Sequence, residues 1–135
     1  MAQTTAPTPT RLAFLLIPPV AWMALIFVLS GQASGEVDRA WWDVAARKVA
    51  HVTEYAVLTA LWWRALRALG VSRPIAGAVA IALLYAVTDE FHQTFVDGRQ
   101  GTPVDVIIDS IGMAIAAAVI YARRRSRGPS RPMAA

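Results

Sequence analysis

The chain has 135 residues, of which 56% are hydrophobic and 16% charged, against roughly 25% charged in an average soluble protein. That balance, with a mean hydropathy of +0.45, excludes an ordinary small soluble domain, which cannot bury most of its residues and needs more polar surface. The absence of cysteine excludes disulfides, a thiolate nucleophile and cysteine metal sites; the pI near 10.3 does not imply nucleic acid, because the basic residues flank apolar segments and form no patch interleaved with aromatics.

The length allows one domain. Residues 1–11 open with the polar, Pro/Thr-rich MAQTTAPTPT, which cannot bury a core and is expected to be disordered. Leu12 to Leu29 is nearly all apolar, and roughly 20 helical residues cross the hydrocarbon of a bilayer. Pro18 and Pro19 should kink this span, which lipid tolerates when neighbours satisfy the freed carbonyls. A cleaved signal peptide is the competing reading, with Gly31-Gln32-Ala33 as a cleavage site; the apolar run exceeds the usual length of about 7–15 residues and only Arg11 precedes it, so a retained span is preferred.

Gly31 to Asp38 is a polar loop. Ala40 to Lys48 is expected to form a short interfacial helix, with Trp41 and Trp42 as anchors and Arg47 and Lys48 able to snorkel. Val49 to Leu69 is the second span. Gly70 to Pro74 is a turn, Pro74 falling in the first turn of the next helix. Ile75 to about Phe91 is the third span, and Val96 to Gly101 a glycine-punctuated loop. Thr102-Pro103-Val104-Asp105 is a helix start with a capping-box pattern. The fourth span runs from about Val104 to Tyr121, and residues 123–135 form a basic tail expected to be disordered and to touch anionic lipid.

The charges set an orientation. Arg11, Arg64, Arg67, Arg73, Arg123, Arg124, Arg125, Arg127 and Arg131 would share one side, and Arg39, Arg47, Lys48 and Arg99 the other; nine against four predicts both termini in the cytoplasm. All nine acids then lie in the outer half of the molecule. Three helix ends from separate parts of the chain thus bring ionisable groups to one depth, and such groups inside a membrane are costly and mark functional sites.

Helical spacing sorts these groups into faces. Arg47, Lys48, His51, Glu54, Tyr55 and Leu58 share one face of the second span. Tyr85, Thr88, Asp89 and His92 share one face of the third, with Gln93 at its edge and Glu90 well off it. Asp105, Asp109 and Gly112 align on the fourth, where Gly112 permits close approach. The simplest arrangement points the three faces at one another.

Four chemistries suit this set. A carboxylate paired with histidine could serve as general acid and base beside an anion held by Arg99 or Lys48. Two histidines and several carboxylates supply metal-ligand types, but no HExxH or comparable spacing occurs, so a divalent metal has only weak sequence support. A proton relay would need polar residues continuing to the inner side, where Ile75 to Leu84 and Met113 to Ile120 offer almost none. The fourth option is structural, with acids and bases paired to hold the helices together; Asp105 on its own fits a capping role, and Tyr55 and Tyr85 fit packing as well as polar roles.

Four stretches carry a resemblance to a known family: Ser30-Gly31-Gln32; Arg47-Lys48-Val49-Ala50-His51-Val52-Thr53-Glu54-Tyr55-Ala56-Val57-Leu58; Tyr85-Ala86-Val87-Thr88-Asp89-Glu90-Phe91-His92-Gln93-Thr94-Phe95-Val96-Asp97-Gly98-Arg99; and Asp105 to Gly112. Over roughly residues 12–122 the chain resembles the VanZ-like family, the third stretch being the most specific. The chain departs from the family pattern at Asp97, where many members have proline, and at Thr102, where many have serine. The resemblance implies a small bacterial polytopic membrane protein at the cell envelope. The family takes its name from a member associated with resistance to glycopeptide antibiotics, especially lipid-bearing ones such as teicoplanin, and no reaction is attached to it.

The expectation is therefore an all-α polytopic membrane protein of the bacterial inner membrane, with four transmembrane helices in a domain at residues 12–122, a short interfacial helix before the second span, and both termini cytoplasmic. A polar site at the outer end would bind or modify a lipid-linked anionic envelope molecule. His51, Glu54, Asp89, His92, Asp105 and Asp109 are its candidate acid-base groups. Arg47, Lys48, Tyr55, Tyr85, Glu90, Gln93 and Arg99 are its candidate binding residues. A non-enzymatic scaffold or binding protein is the alternative. The expected partner is a membrane lipid or lipid-linked precursor, with no protein partner specified.

Overall fold

The computed structural model describes residues 7–32, 41–97, 99 and 101–126. The expected loop positions 33–40, with Glu36, Asp38 and Arg39, lie outside the described residues, as do Gly98, Gln100, residues 1–6 and the tail from 127 onward. Four helices make up the fold: α1 (Pro9–Ser30), α2 (Trp41–Ala68), α3 (Pro74–Gln93) and α4 (Pro103–Ser126). Among the described residues there is no strand.

Helices α1, α3 and α4 are long and apolar enough to cross a membrane. At 1.5 Å per residue they measure about 30–36 Å, which matches a hydrocarbon core of about 30 Å. Helix α2 does not combine length with low charge in this way, because Asp43, Arg47, Lys48, Glu54, Arg64 and Arg67 are distributed along it. Three spans, not four, are thus established by length and apolarity. One expectation is corrected: the interfacial helix is not separate. Residues 41–68 form one continuous helix of 28 residues, about 42 Å long. The stretch from Trp41 to Tyr55 contains neither glycine nor proline, so nothing interrupts the helix where its polar first turns meet its apolar part.

The most polar helix is also the central one. Helix α2 packs on α1, α3 and α4, while α3 also touches α1 and α4; α1 and α4 do not meet among the described residues. The core is Ile26, Tyr55, Leu58, Ala82, Ala86 and Met113, all at most 2% exposed. Buried Ala78, Ala82 and Ala86 recur at four-residue intervals on α3. Small residues of this kind let helices approach where lipid supplies no hydrophobic drive between them. Helices α2 and α4 cross closely, since a Cβ on Gly112 would fall on the Val52 carbonyl oxygen.

Local signals set the helix limits. Thr8 caps α1, its hydroxyl accepting from the Arg11 N–H at 3.4 Å. Gly70 follows α2 with φ of 77°, a left-handed conformation that costs glycine little, and Pro74 opens α3. Pro18 denies the Phe14 carbonyl its usual helical donor. The Arg64 Nη2 of α2 donates to that carbonyl at 3.4 Å, and its guanidinium lies 5.4 Å from the Phe14 ring centroid. The carbonyl that Pro18 leaves without a helical donor is therefore satisfied from a neighbouring helix.

Candidate functional site

The end of α1, the first half of α2, the end of α3 and the start of α4 meet at one end of the bundle. Two carboxylates on successive residues of α3 organise it. Asp89 is 1% exposed and Glu90 is 5% exposed. About 100° separates successive residues on a helix, so the two look toward different neighbours.

Asp89 looks toward α1. Its Oδ1 accepts from the Ser30 hydroxyl at 2.5 Å. Tyr85, one turn earlier, donates to the Met23 carbonyl at 2.5 Å. His92 stacks on Phe27 with ring centroids 4.1 Å apart, and its Nδ1 is buried without a hydrogen-bond partner. Thr88 is exposed. The Tyr85–Asp89–His92 face thus packs on α1 and not, as expected from helical spacing, on α2 and α4. The physical reason is that α3 is covered on two sides at this level, and heptad-like spacing identifies a shared face without saying which neighbour covers it.

Glu90 occupies the position expected for the other face. Its Oε2 accepts from the Thr102 N–H at 3.1 Å and its Oε1 from the Gln93 Nε2 at 3.2 Å. One ligand atom each from Glu90, His51 and Asp109 lie within 4.8 Å of one another. Glu90 is therefore interior to the cluster, correcting its placement off the working face. It also alters the capping box of α4. The Thr102 N–H goes to Glu90, while the Thr102 hydroxyl donates to Asp105 Oδ2 at 2.7 Å. Gly101 makes this possible, since a Cβ there would strike the Glu90 carbonyl oxygen.

Gln93 joins the two sides. Its amide donates to Asp89 Oδ2 and to Glu90 Oε1, each at 3.2 Å, and its Oε1 accepts from Arg99 Nη1 at 3.4 Å. Arg99 further donates to the Gln32 and Leu29 carbonyls at 3.4 Å, tying the loop after α3 to the end of α1.

From α2 and α4, His51 Nδ1 lies 3.1 Å from Asp109 Oδ1. Asp109 is fully buried and its Oδ2 has no hydrogen-bond partner. Lys48 lies 3.6 Å from Asp105, both partly exposed, and such pairs contribute little to stability. A cavity of about 130 Å³ opens here, lined by Val44, Arg47, Lys48, His51, Gln93, Arg99, Asp105 and Ile108. It combines three basic side chains with a histidine backed by a buried carboxylate, an arrangement able to hold an anion and to exchange a proton with it.

Of the expected site residues, Arg47, Lys48, His51, Gln93, Arg99 and Asp105 line this cavity, whereas Tyr85, Asp89, Glu90, His92 and Asp109 lie behind or beside it and Glu54 and Tyr55 do not line it either. Tyr55 is fully buried in the core, with its ring 6.4 Å from that of Tyr85 and its hydroxyl without a hydrogen-bond partner. Glu54 is half-buried, and its backbone carbonyl accepts from Trp22 Nε1 at 2.9 Å. Ser30 and the Thr102 N–H were absent from the expected site. Ser30 had a signal, as a lone hydroxyl at the polar end of an apolar span; a backbone N–H leaves no trace in a sequence.

The fold and this cluster define an all-α membrane protein with several apolar helices and a polar, partly buried site at one end of the bundle. A family model described as VanZ/LLP1 matches residues 3–124, and the chain belongs to that family. No curated protein and no solved structure matches the chain.

Proposed function

We propose that the protein is a bacterial inner-membrane protein in which α2 is the fourth span, and that its polar site faces the extracytoplasmic leaflet. There it binds the anionic headgroup of a lipid-linked envelope molecule, with Arg47, Lys48 and Arg99 holding the anion and His51, backed by Asp109, as the acid-base group. The cavity carries this reading: three basic side chains line it together with one histidine, at the end of the bundle where the helices' polar turns gather. Basic side chains hydrogen-bond phosphate oxygens with charge-assisted strength, and an interfacial position suits a ligand whose tail stays in lipid. The family's association with glycopeptide resistance supports an envelope role, so altered susceptibility to teicoplanin-type antibiotics is an expected consequence of changed dosage.

The test is binding of a polyprenyl phosphate to the full chain in nanodiscs. Each of Arg47→Gln, Lys48→Gln and Arg99→Gln should weaken binding about 10- to 100-fold, since a hydrogen bond to a charged group is worth roughly 1.5–3 kcal/mol. Equal affinity in all three variants, with normal folding, would remove the headgroup reading. The alternative of a non-enzymatic scaffold makes a separate prediction. Asp109→Asn and His51→Gln keep hydrogen bonding and would preserve an envelope phenotype if the protein only scaffolds, whereas acid-base chemistry would be lost.

A further inference from the structure

Beside the cavity lies a trio whose third member, Glu90, the proposed headgroup site does not use, and in which His51 and Asp109 would serve as ligands instead of as an acid-base pair. Glu90, Asp109 and His51 come from three different helices, and one ligand atom from each lies within 4.8 Å of the others. His51 Nδ1 and Asp109 Oδ1 are 3.1 Å apart. Two ligands held at about 2.0–2.1 Å on one tetrahedral or octahedral ion stand roughly 2.8–3.4 Å apart, a range that includes this spacing.

A second observation is independent of this grouping. Asp109 Oδ2 is buried on a fully buried residue and has no hydrogen-bond partner. A carboxylate oxygen can only accept, so a buried one needs a donor or a cation. The Tyr55 hydroxyl is buried and likewise unpartnered. These unmet polar atoms lie in an interior where three carboxylates are buried.

We propose that His51, Glu90 and Asp109 bind one divalent transition-metal ion, Mn²⁺ or Zn²⁺, between α2, α3 and α4 beside the cavity that His51 lines. The donor set favours this class, since carboxylate oxygens suit Mn²⁺ and imidazole suits Zn²⁺. Two carboxylates neutralise the ion's charge, which makes a partly buried site tolerable. Three protein ligands leave at least one position open, as in sites that bind a further ligand. Gln93 and the Thr102 N–H, both bonded to Glu90, orient its carboxylate in the way outer groups commonly fix a metal ligand. His51 also lines the cavity, giving the ion an entry path and placing it where it could meet an anion held by the basic rim.

The experiment uses the full chain in detergent, stripped with chelator and then titrated separately with Mn²⁺ and Zn²⁺. Bound metal is counted by mass spectrometry of the dialysed protein, and binding is also followed by the shift in melting temperature. About one ion per chain is expected. Loss of one ligand in Asp109→Asn or Glu90→Gln should weaken apparent affinity about 100-fold or more, while Asp43→Asn, on the exposed first turn of α2, should leave it unchanged. Should a variant fail to fold, the titration of the wild-type chain decides: about one ion bound supports the site, and no ion bound by either metal overturns it. Stoichiometric binding that survives both ligand substitutions overturns it equally. Metal binding without polyprenyl phosphate binding would sink the headgroup reading and leave this site standing, and the reverse result would do the opposite.

Discussion

Ser30 and Asp89 are 59 positions apart in the chain and joined by a 2.5 Å hydrogen bond. Removing the donor leaves a buried carboxylate oxygen less satisfied, which costs roughly 1–3 kcal/mol. Ser30→Ala should therefore destabilise the bundle by about that amount, and Asp89→Asn should reduce the loss. A double-mutant cycle on reversible unfolding in micelles should show a coupling on the order of 1–2 kcal/mol; additive effects would mean the bond contributes nothing. Gln93 offers a sharper case, because its amide supplies hydrogens to both Asp89 and Glu90. Gln93→Glu keeps the shape but sets a third carboxylate against two, so a loss of about 3 kcal/mol or more is expected, read as a fall in the unfolding midpoint. At this scale the sequence was half legible. It identified Asp89, Glu90, His51 and Asp109 as unusual, because ionisable groups in apolar helices are rare. It could not say that Asp89 would look toward α1 and Glu90 toward α2 and α4, since helical spacing fixes angles between residues and not the identity of the neighbour.

Elements show the same division between what local patterns hold and what packing decides. Pro74 and Pro103 mark the starts of α3 and α4 as expected, because proline acts on its own backbone. The continuity of α2 was missed because a change from polar to apolar composition looked like a boundary, although no residue there breaks a helix. Two packing features of α2 lead to tests. Gly112 lies against the Val52 carbonyl, so Gly112→Ala should force α2 and α4 apart at a cost of roughly 1–3 kcal/mol, and Gly112→Val should cost more. If both variants unfold with the wild type in micelles, the close crossing is not a real constraint. Arg64 compensates the carbonyl that Pro18 leaves unpaired. Arg64→Leu should lower stability by about 1–2 kcal/mol, and Pro18→Ala in the same chain should restore most of it, because the helix then supplies its own donor. No rescue in the double variant would show that Arg64 acts elsewhere.

For the molecule as a whole, the two ends differ in sign and in chemistry. At one end, Arg64 meets Phe14 near the start of α1, and Trp63 and Arg67 share a groove with Arg123 and Arg124 of α4. The other end carries Asp89, Glu90, Asp105 and Asp109 with the cavity. The bundle thus gathers into one basic end the arginines that the chain scatters over three segments. Lysine and arginine near span ends favour the cytoplasm, while acids contribute little, so the basic end should face inward and the cavity outward. This is directly testable because the chain has no cysteine, and single cysteines can be introduced against a silent background. Val44 lines the cavity and Arg124 is exposed in the last turns of α4. In intact cells or spheroplasts, a membrane-impermeant maleimide should modify Val44→Cys, and should reach Arg124→Cys only after permeabilisation. The opposite pattern would turn the bundle over. It would place the cavity among cytoplasmic ligands and remove the physical basis for an extracytoplasmic headgroup, because the basic rim would then face soluble nucleotides and phosphates instead of envelope precursors. Equal labelling of both positions in intact cells would show instead that the chain does not hold one orientation, a result that the asymmetry of nine basic residues against four argues against.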